Sequence, residues 1–152
     1  MIQRIQTLFL LLAVACMVVC LCLPMGVFIP DTMDAGVELF NLWSVKLDDG
    51  SRAFANWPMF AVLLVAATIS FFAIFAFKNR KKQARMCVGA ILLVMAWYIA
   101  LVVYGYLLEP ENTKFYPSVM VALPLVAIIL LFMARHRINA DEKLVRAADR
   151  IR

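Results

Sequence analysis

Charge is missing from most of this 152-residue chain. The stretches 7–28, 58–77, 86–108 and 117–134 contain no Asp, Glu, Lys, Arg or His. Each is long enough to cross a bilayer core of ~30 Å at ~1.5 Å per residue. Hydrophobic residues make up 65% of the chain and the mean hydropathy is +0.89. A soluble domain is about half apolar, so the composition excludes one.

Other absences narrow the function. Once the four runs are removed, the connections are 29–57, 78–85 and 109–116, with a tail 135–152; none can hold a soluble catalytic domain. Coupled carriers usually place ionisable groups within the membrane, and these runs have none. The one histidine, His136, sits between Arg135 and Arg137, neighbours that repel a metal cation. Cys20 and Cys22 fall in the first run and Cys87 in the third. A membrane thiol oxidase also needs an accessible second pair, and the loops contain no cysteine. Thiols in hydrocarbon resist ionisation and read as small apolar filler. The first apolar run continues past Cys16, longer than a signal peptide's ~7–15 residues, so it reads as a span. No catalytic residue, cofactor, metal or nucleic-acid partner is expected.

What is present is a strong asymmetry of basic residues. Segment 78–85, KNRKKQAR, carries Lys78, Arg80, Lys81, Lys82 and Arg85 and no acid. The tail adds six Lys/Arg and Arg4 one, so twelve of fifteen lie on one side. The positive-inside rule places both termini in the cytoplasm, with the first and third connections outside. The same five residues of 78–85 are candidates for binding lipid headgroups.

The first loop has the only strand-like pattern. In LFNLWSVKL, Leu39, Trp43, Val45 and Leu47 fall on one face at period two, and Asp49-Gly50 suits a tight turn toward Arg52. Trp57, Tyr104, Tyr106, Phe115 and Tyr116 belong at the outer interface. Ala66, Ala67, Ser70 and Ala73 on the second span, and Gly89, Ala96 and Ala100 on the third, offer close-approach surfaces. Pro124 predicts a kink in the fourth.

The tail predicts a second start of helix after Arg137. Asn139 and Glu142 form a capping-box pattern, and Leu144, Ala148 and Ile151 make a narrow apolar stripe. Its polar face mixes signs through Asp141, Glu142, Lys143, Arg146, Asp149 and Arg150. A helix lying on lipid favours mostly Lys and Arg, whereas mixed charge suits a protein surface. These six residues are the candidate partner-binding set.

The opening MIQRIQTLFLLL and closing DEKLVRAADRIR, around four spans and the NRKKQ segment, resemble a small membrane protein family of Bacteroidetes, domain of unknown function 4293. The resemblance covers essentially the whole chain and implies an inner-membrane protein; it brings no reaction, ligand or catalytic residue. Four spans with strands after the first, and Asn41-Leu42-Trp43, are also similar to the claudin-like architecture, whose paired loop cysteines are absent here. The expected fold is an all-α membrane protein comprising residues 1–152 as one domain. It is an up-and-down four-helix bundle with a small extracytoplasmic hairpin and a short cytoplasmic amphipathic helix. The expected role is a non-enzymatic accessory or scaffolding subunit of a larger membrane complex, in contact with membrane lipids and other subunits. The alternative is a small carrier or binder of a lipid- or quinone-like apolar molecule.

Overall fold

The computed structural model describes residues 2–30, 35–107 and 112–149, and their side chains except at 2–4, 78, 107 and 146–149. The four apolar runs become helices α1 (Ile2–Cys22), α2 (Trp57–Phe75), α3 (Arg80–Val102) and α4 (Ala122–Asp149). All four are long and apolar enough to cross a membrane. Helix is what such a run must form, because hydrocarbon offers no partner for backbone N–H and C=O groups. The helices close a ring in which α1 packs on α2 and α4, and α3 on α2 and α4. Short connections make sequence neighbours antiparallel.

The core seams have a common spacing. Leu10, Ala13, Met17 and Cys20 are buried on α1, and Met59, Leu63, Ala66, Ser70 and Ala73 on α2. Cys87, Ala90, Val94, Trp97 and Leu101 follow on α3, and Ala127, Leu131, Ala134 and Ile138 on α4. Steps of three and four alternate throughout, an average near 3.5, the period that keeps one stripe facing its neighbours. Alanine recurs in each seam, which lets the backbones approach closely. The Ala66, Ala67, Ser70 and Ala73 surface is buried as expected. The expected α3 surface is displaced. Ala96 is exposed, and a Cβ on Gly89 would meet nothing within 4 Å. The packed small residues of α3 are Ala84, Cys87 and Ala90 instead.

At one end the connections build a five-stranded antiparallel sheet, ordered β4-β3-β2-β1-β5. Its strands are β1 (Gly26–Pro30), β2 (Val37–Leu39), β3 (Ser44–Lys46), β4 (Arg52–Ala53) and β5 (Thr113–Pro117). The expected hairpin is present, since β3 pairs with β4 across Asp49 and Gly50, with Gly50 at φ 67. Ser51 N–H donates to Asp49 Oδ1 at 3.0 Å. Hydrogen bonds from the Ser51 side chain and then its backbone hold the Asp49 carboxyl below the usual carboxylate range.

The rest of the sheet differs from the sequence reading. LFNLWSVKL is not one strand: it folds back between Leu39 and Ser44, which face each other in the β2–β3 pair. Phe40 N–H donates to the Trp43 carbonyl at 2.9 Å to close that turn. The Trp43 ring packs on Phe40 and Phe54, with Arg52 over its face at 5.3 Å. The first helix stops at Cys22 rather than near residue 28. Pro24 ends it, and the β-prone Val27-Phe28-Ile29 pairs with β5 of the third connection. Phe115 of β5 is buried between two glycines. A Cβ on Gly26 would lie 2.5 Å from its ring, and one on Gly105 2.8 Å. Gly105 is held there by a π-helical turn, Val103–Leu107, that ends α3.

Two further expectations about the helices are corrected. Pro124 does not kink the fourth span. It lies in the first turn of α4, behind a 3-10 turn at Val119–Val121, where its missing N–H has no intrahelical role. The tail does not restart either. α4 runs unbroken for 28 residues to Asp149, with Asn139 inside it rather than capping a new helix. The apolar seam explains this: 127, 131 and 134 continue in step to Ile138, which is fully buried.

One buried amide ties sheet to bundle. Asn41, in the β2–β3 turn, donates from Nδ2 to the Cys20 carbonyl at 2.8 Å. Its Oδ1 accepts from Trp97 Nε1 at 2.8 Å. Cys20 is in the last turn of α1, where carbonyls lack helical partners. Asn41→Leu leaves two buried groups unpartnered, each costing about 1–3 kcal/mol in a dry site, with smaller values common in membranes. We expect a loss of about 2 kcal/mol in detergent unfolding, with the helix content unchanged.

Candidate interaction site at the basic end of the bundle

The end opposite the sheet gathers the start of α1, the α2–α3 connection and the far end of α4. The KNRKKQAR segment is mostly not a loop. A 3-10 turn at Ala76–Lys78 leads directly into α3 at Arg80, so the third helix begins earlier than residue 86. Asn79 Oδ1 accepts from the Lys82 backbone N–H at 3.3 Å and caps the new helix. Arg80 is half-buried, while Lys81, Lys82 and Arg85 are exposed. The Lys78 side chain lies outside the described residues.

Here too the buried polar groups close helix ends. Gln83 is buried and donates from Nε2 to the Ala73 carbonyl, in the last turn of α2, at 3.0 Å. Gln6 donates from Nε2 to Asp141 Oδ2 at 2.6 Å, and both side chains are buried. The placement follows from the seams. Gln6 lies four residues before Leu10 on α1, and Asp141 three after Ile138 on α4, so both extend their stripes by one polar step. A carboxylate facing an amide rather than water needs a bond of this kind to be tolerated there.

This corrects one candidate partner-binding residue. Asp141 is only 8% exposed and is engaged within the chain. The others divide. Glu142 is half-buried and Lys143 exposed; the side chains of Arg146 and Asp149, and all of Arg150, lie outside the described residues. Leu144 is 64% and Val145 46% exposed, so the described member of the expected apolar stripe points away from the bundle. Ala148 and Ile151 of that stripe lie outside the described side chains.

His136 is exposed on the outward face of α4, and a shallow groove there is lined by Phe132, Met133, His136, Arg137 and Ala140. Among the described residues, no three His, Cys, Asp or Glu side chains gather as a metal site. The four cysteines are free, with Cys20 and Cys87 in the core and Cys22 exposed.

Sequence reasoning missed Gln6, Gln83, Asn41 and Asn56 as buried polar groups. Gln6 carried a signal, its step from Leu10, which a search restricted to charge-free runs passes over. Asn41 had only its place in Asn41-Leu42-Trp43, which says nothing of burial; Asn56, at the N-cap position of α2, makes no side-chain capping bond and donates from Nδ2 to the Phe40 carbonyl at 3.2 Å.

The Gln6–Asp141 pair generates a clean test. Gln6→Leu or Asp141→Leu alone strands a buried polar group, whereas removing both leaves an apolar contact. Each single variant should speed amide exchange around residues 138–145 by about tenfold, near 1.4 kcal/mol. The double variant should return to within about threefold of wild type, a coupling that independent sites do not show.

Comparison with curated proteins returns no match. The family model described as Domain of unknown function (DUF4293) matches residues 2–151. That span takes in the four helices, the whole sheet and the basic end, and on it the chain belongs to the DUF4293 family.

Proposed function

We propose that this protein is a non-enzymatic accessory or scaffolding subunit of a larger inner-membrane complex, with the distal part of α4 as its docking arm. One observation carries the reading: α4 outlasts its clamp. Beyond Asp141 it continues to Asp149, about 12 Å further at ~1.5 Å per residue. On that extension Leu144 and Val145 are solvent-exposed, beside the exposed Lys143.

Physical chemistry supports an arm rather than a headgroup-lying helix. A helix bound flat on lipid must leave the bundle axis, which requires a break after the span. α4 has none, and the Gln6–Asp141 bond holds it against α1 about one turn before α1 ends at Ile2. A straight projecting helix with exposed leucine and valine among mixed charges offers i, i+3 and i+4 anchors to a partner groove. The basic end faces the cytoplasm in this reading, on the distribution of Lys and Arg, so the partner is a cytoplasmic or juxtamembrane protein.

The test is purification of the tagged protein from native membranes in mild detergent, beside a version ending at Asp141, which keeps the clamp and removes the arm. A stoichiometric partner lost on truncation supports the reading. A partner-free protein carrying a tightly held lipid- or quinone-like molecule moves the assignment to a carrier. With a partner in hand, Glu142→Arg and Arg146→Glu should each weaken capture by about three- to tenfold, and the combined exchange should restore part of it. Equal capture by all three variants removes these charges from the interface.

A further inference from the structure

We infer that the sheet packs, outer face to outer face, on the sheet of a second copy of this chain, across a two-fold axis that runs along β3. Directly opposite residues of an antiparallel ladder share a face, and the register divides this sheet cleanly. Phe28, Leu39 and Phe115 are buried on the bundle side. Arg52, Val45, Glu38, Val27 and Tyr116 form one row across all five strands on the other side. Two residues along from that row, Ile29 and Leu47 are 49% and 55% exposed. The solvated face of an antiparallel sheet is ordinarily polar. Here Arg52, Glu38 and Lys114 are scattered among valine, isoleucine, leucine and aromatic side chains, and among the described residues no helix packs broadly across the strands. Such a face calls for a second layer.

The pattern on β4, β3 and β2 selects the occupant, because it is matched on the two sides of β3. Nearest the bundle, the Trp43 ring lies between Phe40 and Phe54, at 5.9 and 6.0 Å. In the next row Val45 lies between Arg52 and Glu38. In the outermost, Leu47 lies between Gly36, whose carbonyl accepts its N–H at 3.0 Å, and Gly50 of the β3–β4 turn. A two-fold axis along β3, in the plane between two such faces, sets Trp43, Val45 and Leu47 against their own copies. It also sets Phe40 against Phe54 and Arg52 against Glu38, each twice. Moving the axis half a strand spacing toward β2 opposes both charges to valine, and centring it on β2 opposes Glu38 to itself. The charges therefore fix one register.

Chain connectivity makes that axis compatible with one membrane. β1 starts shortly after α1 ends at Cys22, β5 leads into the turn before α4, and Asn41 holds the β2–β3 turn on α1. The strands therefore run away from the bundle and back, with the β3–β4 turn at the far end, and an axis along β3 follows the direction of the helices. Copies inserted in one orientation carry this face at one height, so a second copy meets it without leaving the membrane. The shared patch is three strands, about 10–15 Å across, so the contact is a modest one that belongs in the membrane plane rather than in detergent.

The experiment has two parts, both on the full chain. With the native cysteines replaced by alanine, Val45→Cys should form a disulfide-linked dimer on oxidation in native membranes. Lys46→Cys, on the other face, and Tyr116→Cys, on the same face but beyond the shared strands, should give little. In phosphatidylcholine proteoliposomes, energy transfer between labelled copies reads self-association. Arg52→Glu and Glu38→Arg should each lower it by about tenfold. Mixed together, the two variants should associate with each other like wild type, because every facing pair is then of opposite sign. Damage to the fold of either variant would not be mended by mixing. Absence of energy transfer for wild type overturns the inference, as do single variants that associate like wild type or mixtures that regain nothing. A Val45→Cys chain crosslinked to a different protein rather than to its copy overturns it as well.

Discussion

A buried backbone carbonyl or amide without a partner is the constraint on which this structure turns. In a slab of hydrocarbon no water can reach it, and the penalty falls on helix ends, where carbonyls run out of intrahelical donors. The chain meets that constraint with neutral amides. Asn41 binds the last turn of α1 through Cys20, and Gln83 binds the last turn of α2 through Ala73. Trp97 completes the first arrangement from the sheet-side part of α3, donating to Asn41 from a fully buried indole. The position of the sheet follows from it: the β2–β3 turn is drawn onto the bundle because its asparagine has two partners there.

The same logic explains why so much of the fold was legible and where reading stopped. Four charge-free runs are a statement about solvent, and they located all four helices. Helix limits were less accessible because they depend on pairing between distant segments. Val27-Phe28-Ile29 reads as the end of a span until Thr113–Pro117 lies alongside it and makes both a strand. LFNLWSVKL alternates well enough to pass for one strand; only the close pairing of Leu39 with Ser44 shows it to be two. The tail misled for a local reason. Asn139 and Glu142 match a capping pattern, but Ile138 and Asp141 keep the bundle's spacing, and packing along a whole seam outweighs a cap worth ~1 kcal/mol. The candidate site was legible as composition, not as geometry: the basic residues were found, while the buried state of Asp141 depended on Gln6, 135 residues away.

The two ends of the molecule carry different burdens. At the sheet end, Phe115 between Gly26 and Gly105 joins the first and third connections over the helices. At the basic end, exposed and half-buried cations sit on α3 and α4, and α4 continues to Asp149. A scaffold needs both properties, a body held firmly in its membrane and a rigid feature projecting from it.

The central claim is that α4 passes out of the bundle without a break, held in register against α1 by the pair at 6 and 141. The most direct measurement replaces the four native cysteines by alanine, introduces Gln6→Cys with Asp141→Cys, and follows disulfide formation in native membranes by peptide mass spectrometry. Rapid and nearly complete crosslinking of that pair is the predicted result, with little at Gln6→Cys with Leu144→Cys, whose second position faces away. Equal yields from the two pairs, or none from either, would contradict the account, because a tail that breaks after the span has no fixed face toward α1.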